Sequence, residues 1–418
     1  MSSDQPPLSR PRFVLGLNDT TFALSGVAIL LLSAVFWSAR GPNVEKTDFS
    51  LTFVGAKIVH DGRGRELYDL NLQKQIRNSL YQHPVPLLFE HPPFEALLLS
   101  PLAGASFRTA YLIWGLANAA ILAALIFLLR PHLPWPTDGL GYVCLWLLFV
   151  PLWVALYQGQ SSLVLLAAYA VTYALLKSRK SLPAGIALGL GLFKFQFVVP
   201  FAVIFLVRKQ WRFLAGLLTS AVLLVFASVI GIGWKGVTDY GRFLAAVGND
   251  PQNISYGSGV DMPTIHGFVF AIVGRRVGGT ALNFIVAGLV MALLAWVAVK
   301  WKHIEGDSSF DLMFATAVAA SLLSGSHMFM HDFSPLILAM LLSSARMSHY
   351  SNSRNASWAR FAIRFALSIF WIPPIYFLFV KWHCLYLMGP VLFLFVWGVI
   401  TLAKRAQPIV KQLVMATG

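Results

Sequence analysis

Apolar stretches with almost no charge recur along the whole of this 418-residue chain, and they constrain its fold more than any other feature. Several approach the length of about 20 residues that an α-helix needs to cross the hydrocarbon core of a bilayer. Hydrophobic residues make up 57% of the chain and charged residues only 12%, and the mean hydropathy is +0.68. A soluble protein of this composition would have a nearly uncharged surface. The sequence therefore predicts an all-α integral membrane protein.

The basic residues give a formal net charge of +15, but their placement argues against nucleic acid as a partner. They form short clusters between the apolar stretches: Arg10 with Arg12, then residues 177–180, 208–212, 300–302, 346–364 and 404–411. Such clusters are typical of the cytoplasmic loops of membrane proteins. None is interleaved with the aromatic side chains of a nucleic-acid groove. We therefore expect membrane lipid around the protein, and no nucleic acid.

The apolar stretches predict about twelve transmembrane helices in a single polytopic membrane domain, residues 1–418. The candidate crossings are 22–37, 93–103, 110–129, 140–156, 162–176, 182–207, 213–232, 281–299, 312–323, 335–342, 361–380 and 385–402. An even number places both termini in the cytoplasm, at what we expect to be a bacterial plasma membrane. Two long polar segments, 40–91 and 234–264, then become outer loops, and we expect them to carry amphipathic helices.

Two crossing patterns give the same total. In the first, residues 93–103 cross and 182–207 form one span. In the second, 93–103 do not cross, and 182–207 are two short helices that meet at Lys194. The second pattern places the basic cluster 177–180 inside and brings Gln160 and Lys194 toward the outer face, so the positive-inside rule favours it.

Asp48 lies directly after the first predicted crossing, at the start of a predicted amphipathic helix over residues 49–60. The pattern puts Leu51, Val54 and Ile58 on one side of this helix and Ser50, Lys57 and His60 nearer the other. An aspartate in this place is either an N-cap, which accepts hydrogen bonds from the first free amides, or a catalytic carboxylate that takes a proton from a hydroxyl. The local sequence alone favours the cap, and the two roles are compatible.

Lys194 lies in an otherwise apolar stretch that contains no acidic residue. An ammonium group at such a depth costs about 2.5–3.5 kcal/mol on insertion scales unless it meets water or an anion. The side chain either extends to the interface, as long basic side chains do, or binds a ligand. The several apolar residues on each side favour the second role, most simply the binding of a phosphate.

Two further polar segments join apolar stretches. Gln158 and Gln160 belong to a turn whose amide groups suit the hydroxyls of a sugar, although a plain polar linker is the simpler interpretation.

His327 and His331 are four residues apart, with Asp332 adjacent, so on a helix the two imidazoles would share one face. They are weak as a metal site without a partner motif elsewhere. We favour anion binding or the orientation of Asp48 over simple interfacial histidines.

Taken in order along the chain, several motifs resemble glycosyltransferase family 87, whose members have the type C fold of integral-membrane glycosyltransferases. The motifs are Asp48 after the first span, Leu67-Tyr68-Asp69, Pro92-Pro93, Gly159-Gln160, Lys194 followed by Arg208-Lys209-Gln210-Trp211-Arg212, and His331-Asp332. The resemblance extends from about Asp48 to Asp332. The family includes mannosyltransferases that use polyprenyl-phosphate mannose. In these enzymes the aspartate after the first span is the catalytic base, which shifts the balance for Asp48 away from capping alone.

The resemblance implies a type C-like membrane enzyme that moves a hexose, most simply mannose, from a polyprenyl-phosphate donor to a lipid-linked or cell-envelope glycan on the outer face. Asp48 would be the base of an inverting, metal-independent reaction that needs no cofactor. The donor phosphate would meet Lys194, His327 and His331. The sugar or the acceptor would meet Gln158, Gln160, Glu90, His91 and Asp332. The alternative is a transporter or flippase of lipid-linked precursors, which would also explain an intramembrane lysine.

Overall fold

The computed structural model describes residues 17–82, 88–133, 139–249, 259–274, 276–302, 304, 307–347 and 354–404. Within these ranges the chain is helical and contains no β-strand, as the sequence predicts. The α-helices are α1 Leu17–Arg40, α2 Phe49–His60, α3 Leu70–Leu80, α4 Pro93–Leu99, α5 Phe107–Leu129, α6 Gly139–Leu147, α7 Val150–Gln158, α8 Ser162–Lys177, α9 Ser181–Gly189, α10 Phe195–Val207, α11 Trp211–Asn249, α12 Ile265–Val273, α13 Gly279–Lys302, α14 Asp307–Leu323, α15 Leu336–Met347, α16 Arg354–Trp371, α17 Pro373–Lys381 and α18 Met388–Ala403.

Four helical segments of the described chain are long and apolar enough to cross a membrane unaided: Phe107–His132, Trp211–Ala246, Gly279–Lys302 and Leu385–Ala403. Three pairs of helices reach the required length only together, because each is bent at a short break: α6 with α7, α9 with α10, and α16 with α17. The described residues therefore contain four to seven apolar spans by length and composition. The predicted total of about twelve stays a prediction, and the cluster Arg10 with Arg12 lies outside the described residues.

The stretch 182–207 is broken at Lys194, as the second crossing pattern predicts. Helix α9 ends at Gly189, a 3-10 turn covers Leu192–Lys194, and the segments on either side of the break are bent by 65°. The break brings Lys194 to a helix end, where its side chain leaves the apolar surroundings of its own stretch. Helix α4, in the stretch 93–103, has only seven residues and is too short to cross on its own.

Close backbone packing holds the first half of this broken pair in place. A Cβ atom on Gly185 of α9 would lie 1.9 Å from the carbonyl oxygen of Phe213 in α11, and one on Gly216 of α11 would lie 2.1 Å from the carbonyl oxygen of Leu182. Small residues at such crossings let two membrane helices approach closely. Gly185 and Gly216 therefore serve the close packing of α9 against α11.

Helix α2 occupies the predicted residues, but its two sides do not differ as predicted. Ser50, expected nearer the polar side, is as fully buried as Ile58. Helix α2 contacts α3, α4 and α5, so protein covers it on several sides. The ring of Phe89 lies so close that a Cβ atom on Gly55 would come within 2.7 Å of it. The start of α2, where Asp48 lies, is therefore fixed by packing and not by a lipid surface.

The second polar segment continues α11 as a helical arm. Gly233 interrupts the helix with φ 75° and ψ 164°, a left-handed backbone conformation that favours glycine. Beyond this bend the helix runs on to Asn249. Tyr240 of the arm packs against Tyr68, with ring centroids 5.0 Å apart. The arm thereby lies over the first polar segment, and residues 250–258 of the predicted loop lie outside the described residues.

A buried ion cluster joins α8, α14 and α15 at the end of the bundle away from Asp48. The carboxylate of Asp311, which is fully buried, lies 2.6 Å from Lys177 Nζ and 2.5 Å from Arg346 Nη2. The hydroxyl of Tyr173 donates a further hydrogen bond of 2.8 Å to it. The basic clusters 177–180 and 346–364, both predicted to face the cytoplasm, thus begin at the same end of the bundle.

We predict that this end faces the cytoplasm and that α3 faces outward. In a background without the native thiols of Cys144 and Cys384, a cysteine at exposed Asn71 should react with a membrane-impermeant maleimide in right-side-out vesicles. A cysteine at exposed Ser178 should react only after the membrane is opened. Reaction of the Ser178→Cys variant in sealed vesicles would reverse the assignment.

Candidate active site

An open cleft lies where the break before α10, the start of α2, the arm of α11 and the segment between α14 and α15 meet. All the predicted site residues except Gln158 line it: Asp48, Glu90, His91, Gln160, Lys194, His327, His331 and Asp332. Apolar side chains, among them Phe89, Phe193 and Phe329, complete the wall. The structure thus brings together residues from five separate segments of the chain.

The side chain of Asp48 faces the cleft and does not cap α2. It makes no capping hydrogen bond with the free amides of that helix. Its Oδ2 atom accepts a hydrogen bond of 2.8 Å from Gln160 Nε2, while its backbone N–H donates one of 3.0 Å to Gln158 Oε1. Its Oδ1 atom accepts no hydrogen bond from any residue that the structure describes, and the side chain is 27% exposed. Asp48 is therefore a partly solvated carboxylate with one free oxygen.

Gln160 links this carboxylate to Lys194. Its Oε1 atom accepts a hydrogen bond of 3.2 Å from Lys194 Nζ, at the opposite end of the amide from Asp48. Because a carboxylate only accepts and an ammonium group only donates, the two neighbours fix which end of the amide is oxygen. The preceding Gly159 has φ 63°, and Trp114 Nε1 donates to its carbonyl oxygen at 2.8 Å. The turn after α7 is thus rigid and aims Gln160 at the cleft.

Lys194 has a counter-ion that its own stretch does not supply. Its Nζ atom lies 2.5 Å from Asp332 Oδ1, and the two residues are only 5% and 1% exposed. Asp332 also accepts hydrogen bonds from Ser162 Oγ at 3.2 Å and from the backbone N–H of Phe329 at 3.0 Å. Its oxygens are therefore occupied by protein donors, so Asp332 holds Lys194 and offers little to a sugar.

His331 lies between the carboxylates of Asp48 and Asp332. Its Nδ1 atom lies 3.6 Å from Asp48 Oδ2, and its Nε2 atom lies 3.5 Å from Asp332 Oδ2. Asp48, Gln160, Lys194, Asp332 and His331 thus form a closed set of polar contacts, which we call the polar ring. The ring couples the orientation of Asp48 to the position of Lys194.

The expected helical face of His327 and His331 does not form. Residues 324–329 are not helical, and only Met330–Phe333 form a 3-10 turn. The hydrogen bond from the Phe329 N–H to Asp332 stabilises this irregular path. Both imidazoles still line the cleft, but along an extended segment and not one above the other.

Glu95, an acid inside an apolar stretch, is a further residue of the site that is not among the predicted ones. Glu95 is 3% exposed, its Oε2 atom lies 2.7 Å from His91 Nδ1, and Ser161 Oγ donates a hydrogen bond to its Oε1. His91 faces the cleft, so Glu95 fixes the ring of a cleft residue from behind. The signal was present, because a carboxyl group in an apolar membrane segment is costly unless it has a role.

Glu90 presents an unsatisfied oxygen at the cleft. Its Oε2 atom is buried and makes no hydrogen bond with any described residue. Burial raises the pKa of Glu90 to about 7, an effect that His91 opposes and the negative charge of Asp48 reinforces. Among the described residues no three His, Cys, Asp or Glu side chains are arranged to hold a metal ion.

The sequence profile of glycosyltransferase family 87 matches residues 89–330, more than half of the chain. The matched region contains Glu90, Gln160 and Lys194, whereas Asp48 and Asp332 lie outside it. No curated protein and no solved structure matches significantly.

Proposed function

Because the chain belongs to glycosyltransferase family 87, we propose that it moves a hexose, most simply mannose, from a polyprenyl-phosphate donor to a lipid-linked or cell-envelope glycan. The reaction takes place on the outer face of a bacterial plasma membrane. The observation that carries the proposal is the Asp48 carboxylate, which has a free oxygen in an open cleft that also contains Lys194.

Asp48 is the base in this reaction. Its Oδ1 takes the proton of an acceptor hydroxyl as the hydroxyl oxygen attacks the anomeric carbon of the donor sugar. The carbon–oxygen bond to the phosphate breaks in the same step, so the configuration at that carbon inverts. Gln160 donates a hydrogen bond to the other oxygen and holds the carboxylate in place, and the His331 ring lies 3.6 Å from that oxygen. Asp48 is partly exposed and has an oxygen outside any ion pair. Glu90 also has an oxygen without a described partner, but burial raises the pKa of Glu90 and so favours its neutral form, which is a poor base.

The leaving group is polyprenyl phosphate, a phosphate monoester that departs without a protein acid. Lys194 carries three N–H donors, of which Asp332 and Gln160 accept two. The third is available for a phosphate oxygen and stabilises the negative charge that develops there. His327 also lines the cleft and can add a further donor, whereas the two ring nitrogens of His331 face Asp48 and Asp332.

The remaining cleft residues divide into two groups. Glu90 and His91 present polar groups that bind sugar or acceptor hydroxyls. Gln158, Gln160 and Asp332 are committed to protein partners, so they act on the substrates through Asp48 and Lys194. Family membership favours this transferase over a flippase of lipid-linked precursors. No feature of the described cleft specifically supports a flippase.

Incubation of membranes that contain the protein with labelled polyprenyl-phosphate hexoses tests the proposal. We expect label to pass into a more polar lipid or glycan fraction, with release of unlabelled polyprenyl phosphate and with mannose as the best sugar. Membranes without the protein are the control. Movement of intact donor across the bilayer, without cleavage, would instead identify a flippase.

A further inference from the structure

Glu90 carries a hydrogen-bonding group that no residue described by the structure uses. It lines the cleft with Asp48, yet its Oε2 atom is buried and has no partner among the described residues. A buried polar atom without a partner costs about 1–3 kcal/mol. A group of this kind on the wall of a substrate cleft indicates that the substrate supplies the partner.

The surroundings of Glu90 favour its neutral form. The titratable and charged groups that line the cleft with it are Asp48 at the start of α2, His91 beside it, Lys194 before α10, Tyr240 on the arm of α11, and His327, His331 and Asp332 between α14 and α15. Lys194 is already paired with Asp332, and His91 with Glu95. Asp48 therefore faces Glu90 as a negative charge outside those pairs. Burial is the main reason that the pKa of Glu90 is raised to about 7.

We propose that Glu90, as a neutral carboxyl group, donates a hydrogen bond to a hydroxyl of the acceptor glycan, next to the hydroxyl that Asp48 deprotonates. This inference rests on the proposed function and deepens it. Glu90 and Asp48 line the same cleft, so an acceptor that reaches the base also meets the wall that carries Glu90. Glu90 is thus an acceptor-binding residue whose protonation sets the working pH.

The pH dependence has a definite sign. The pKa of Glu90 in the folded protein, about 7, lies above its ordinary value, so the folded form binds the proton more tightly. The stabilising contribution of neutral Glu90 is complete below the ordinary value and is lost as the pH rises through about 7. Acceptor affinity should fall over the same rise, because the ionised group donates no hydrogen bond and repels Asp48.

The test measures binding, so that it does not depend on turnover. Purified protein in lipid nanodiscs is titrated with octyl mannoside, octyl glucoside and octyl galactoside as acceptor probes, from about pH 5.5 to 8.5. We expect Glu90→Ala to weaken binding of the best probe about tenfold at the acidic end, the loss of one hydrogen bond. Glu90→Gln, which keeps a neutral donor at every pH, should bind within about threefold of the wild type and lose the alkaline fall. Glu66→Gln, in an exposed part of the same segment, is the matched control and should keep the wild-type profile.

The outcomes separate this inference from the proposed function. Infrared spectra should show the carbonyl band of a protonated carboxyl that vanishes in Glu90→Gln and titrates near pH 7 in the wild type. Absence of that band at low pH, unchanged affinity in Glu90→Ala, or failure of the wild type to bind any probe would overturn the role of Glu90. Probe binding with this pH profile, but without sugar transfer from any polyprenyl-phosphate hexose, would overturn the proposed function and support the role of Glu90.

Discussion

Replacement of Asp48 by asparagine should reduce the rate of sugar transfer by about 10²–10⁴-fold, the usual contribution of a general base. The amide oxygen of asparagine still accepts the hydrogen bond from Gln160, but the group cannot take a proton from a hydroxyl. Because the Asp48 side chain makes no capping hydrogen bond, α2 does not depend on it. Protein yield and melting temperature should therefore stay near those of the wild type.

The matched control for this variant is Asp69→Asn. Asp69 is a true N-cap, since its carboxylate accepts hydrogen bonds from the N–H groups of Asn71 and Leu72 at the start of α3. It does not line the cleft, so its asparagine variant should keep full activity. Activity of the Asp48→Asn variant above a tenth of the wild-type rate, measured as initial velocity with saturating donor, would refute the role as base.

Replacement of Lys194 by methionine should lower both stability and donor affinity. The change strands the carboxylate of Asp332, which is 1% exposed, and breaking a buried ion pair on one side costs about 3–5 kcal/mol. It also removes the N–H donor that we assign to the donor phosphate, which should weaken donor binding at least about tenfold. Thermal unfolding and equilibrium binding of a polyprenyl-phosphate hexose measure the two effects separately.

The double variant Lys194→Met with Asp332→Asn separates the two causes. Without the carboxylate no buried charge is stranded, so most of the lost stability should return. Donor affinity should stay low, because the ammonium group is still missing. Recovery of both quantities would mean that Lys194 serves only as the counter-ion of Asp332 and binds no phosphate.

Local sequence was a good guide where a single segment determines the outcome. The pattern after Asp48 predicts a helix over 49–60, which is confirmed. The second crossing pattern places the junction of two short helices at Lys194, and a 3-10 turn that ends at Lys194 does separate α9 from α10, although the number of crossings stays a prediction. Both features depend mainly on the order of polar and apolar residues within one short segment. The motif order likewise predicts the family, which the profile match confirms.

Contacts between distant segments could not be predicted in the same way. Lys194 and Asp332 lie 138 positions apart, and Asp48 and Gln160 lie 112 apart, so no periodicity in one segment reveals either pair. The burial of Ser50 could not be predicted either, because the elements that cover α2 come from other parts of the chain. The helical face expected for His327 and His331 fails to form for a related reason. The backbone N–H of Phe329 donates a hydrogen bond to Asp332, and this bond favours an irregular path over a helix.

The anomeric configuration of the product tests most directly the central claim, a single displacement driven by Asp48. Purified protein is given polyprenyl-phosphate mannose of pure β configuration and the acceptor found in the membrane assay, and the new linkage is assigned by nuclear magnetic resonance. We predict an α-linked product only, because one attack at the anomeric carbon inverts it. A β-linked product would require two displacements and a covalent sugar intermediate, and would contradict the assignment of Asp48 as base.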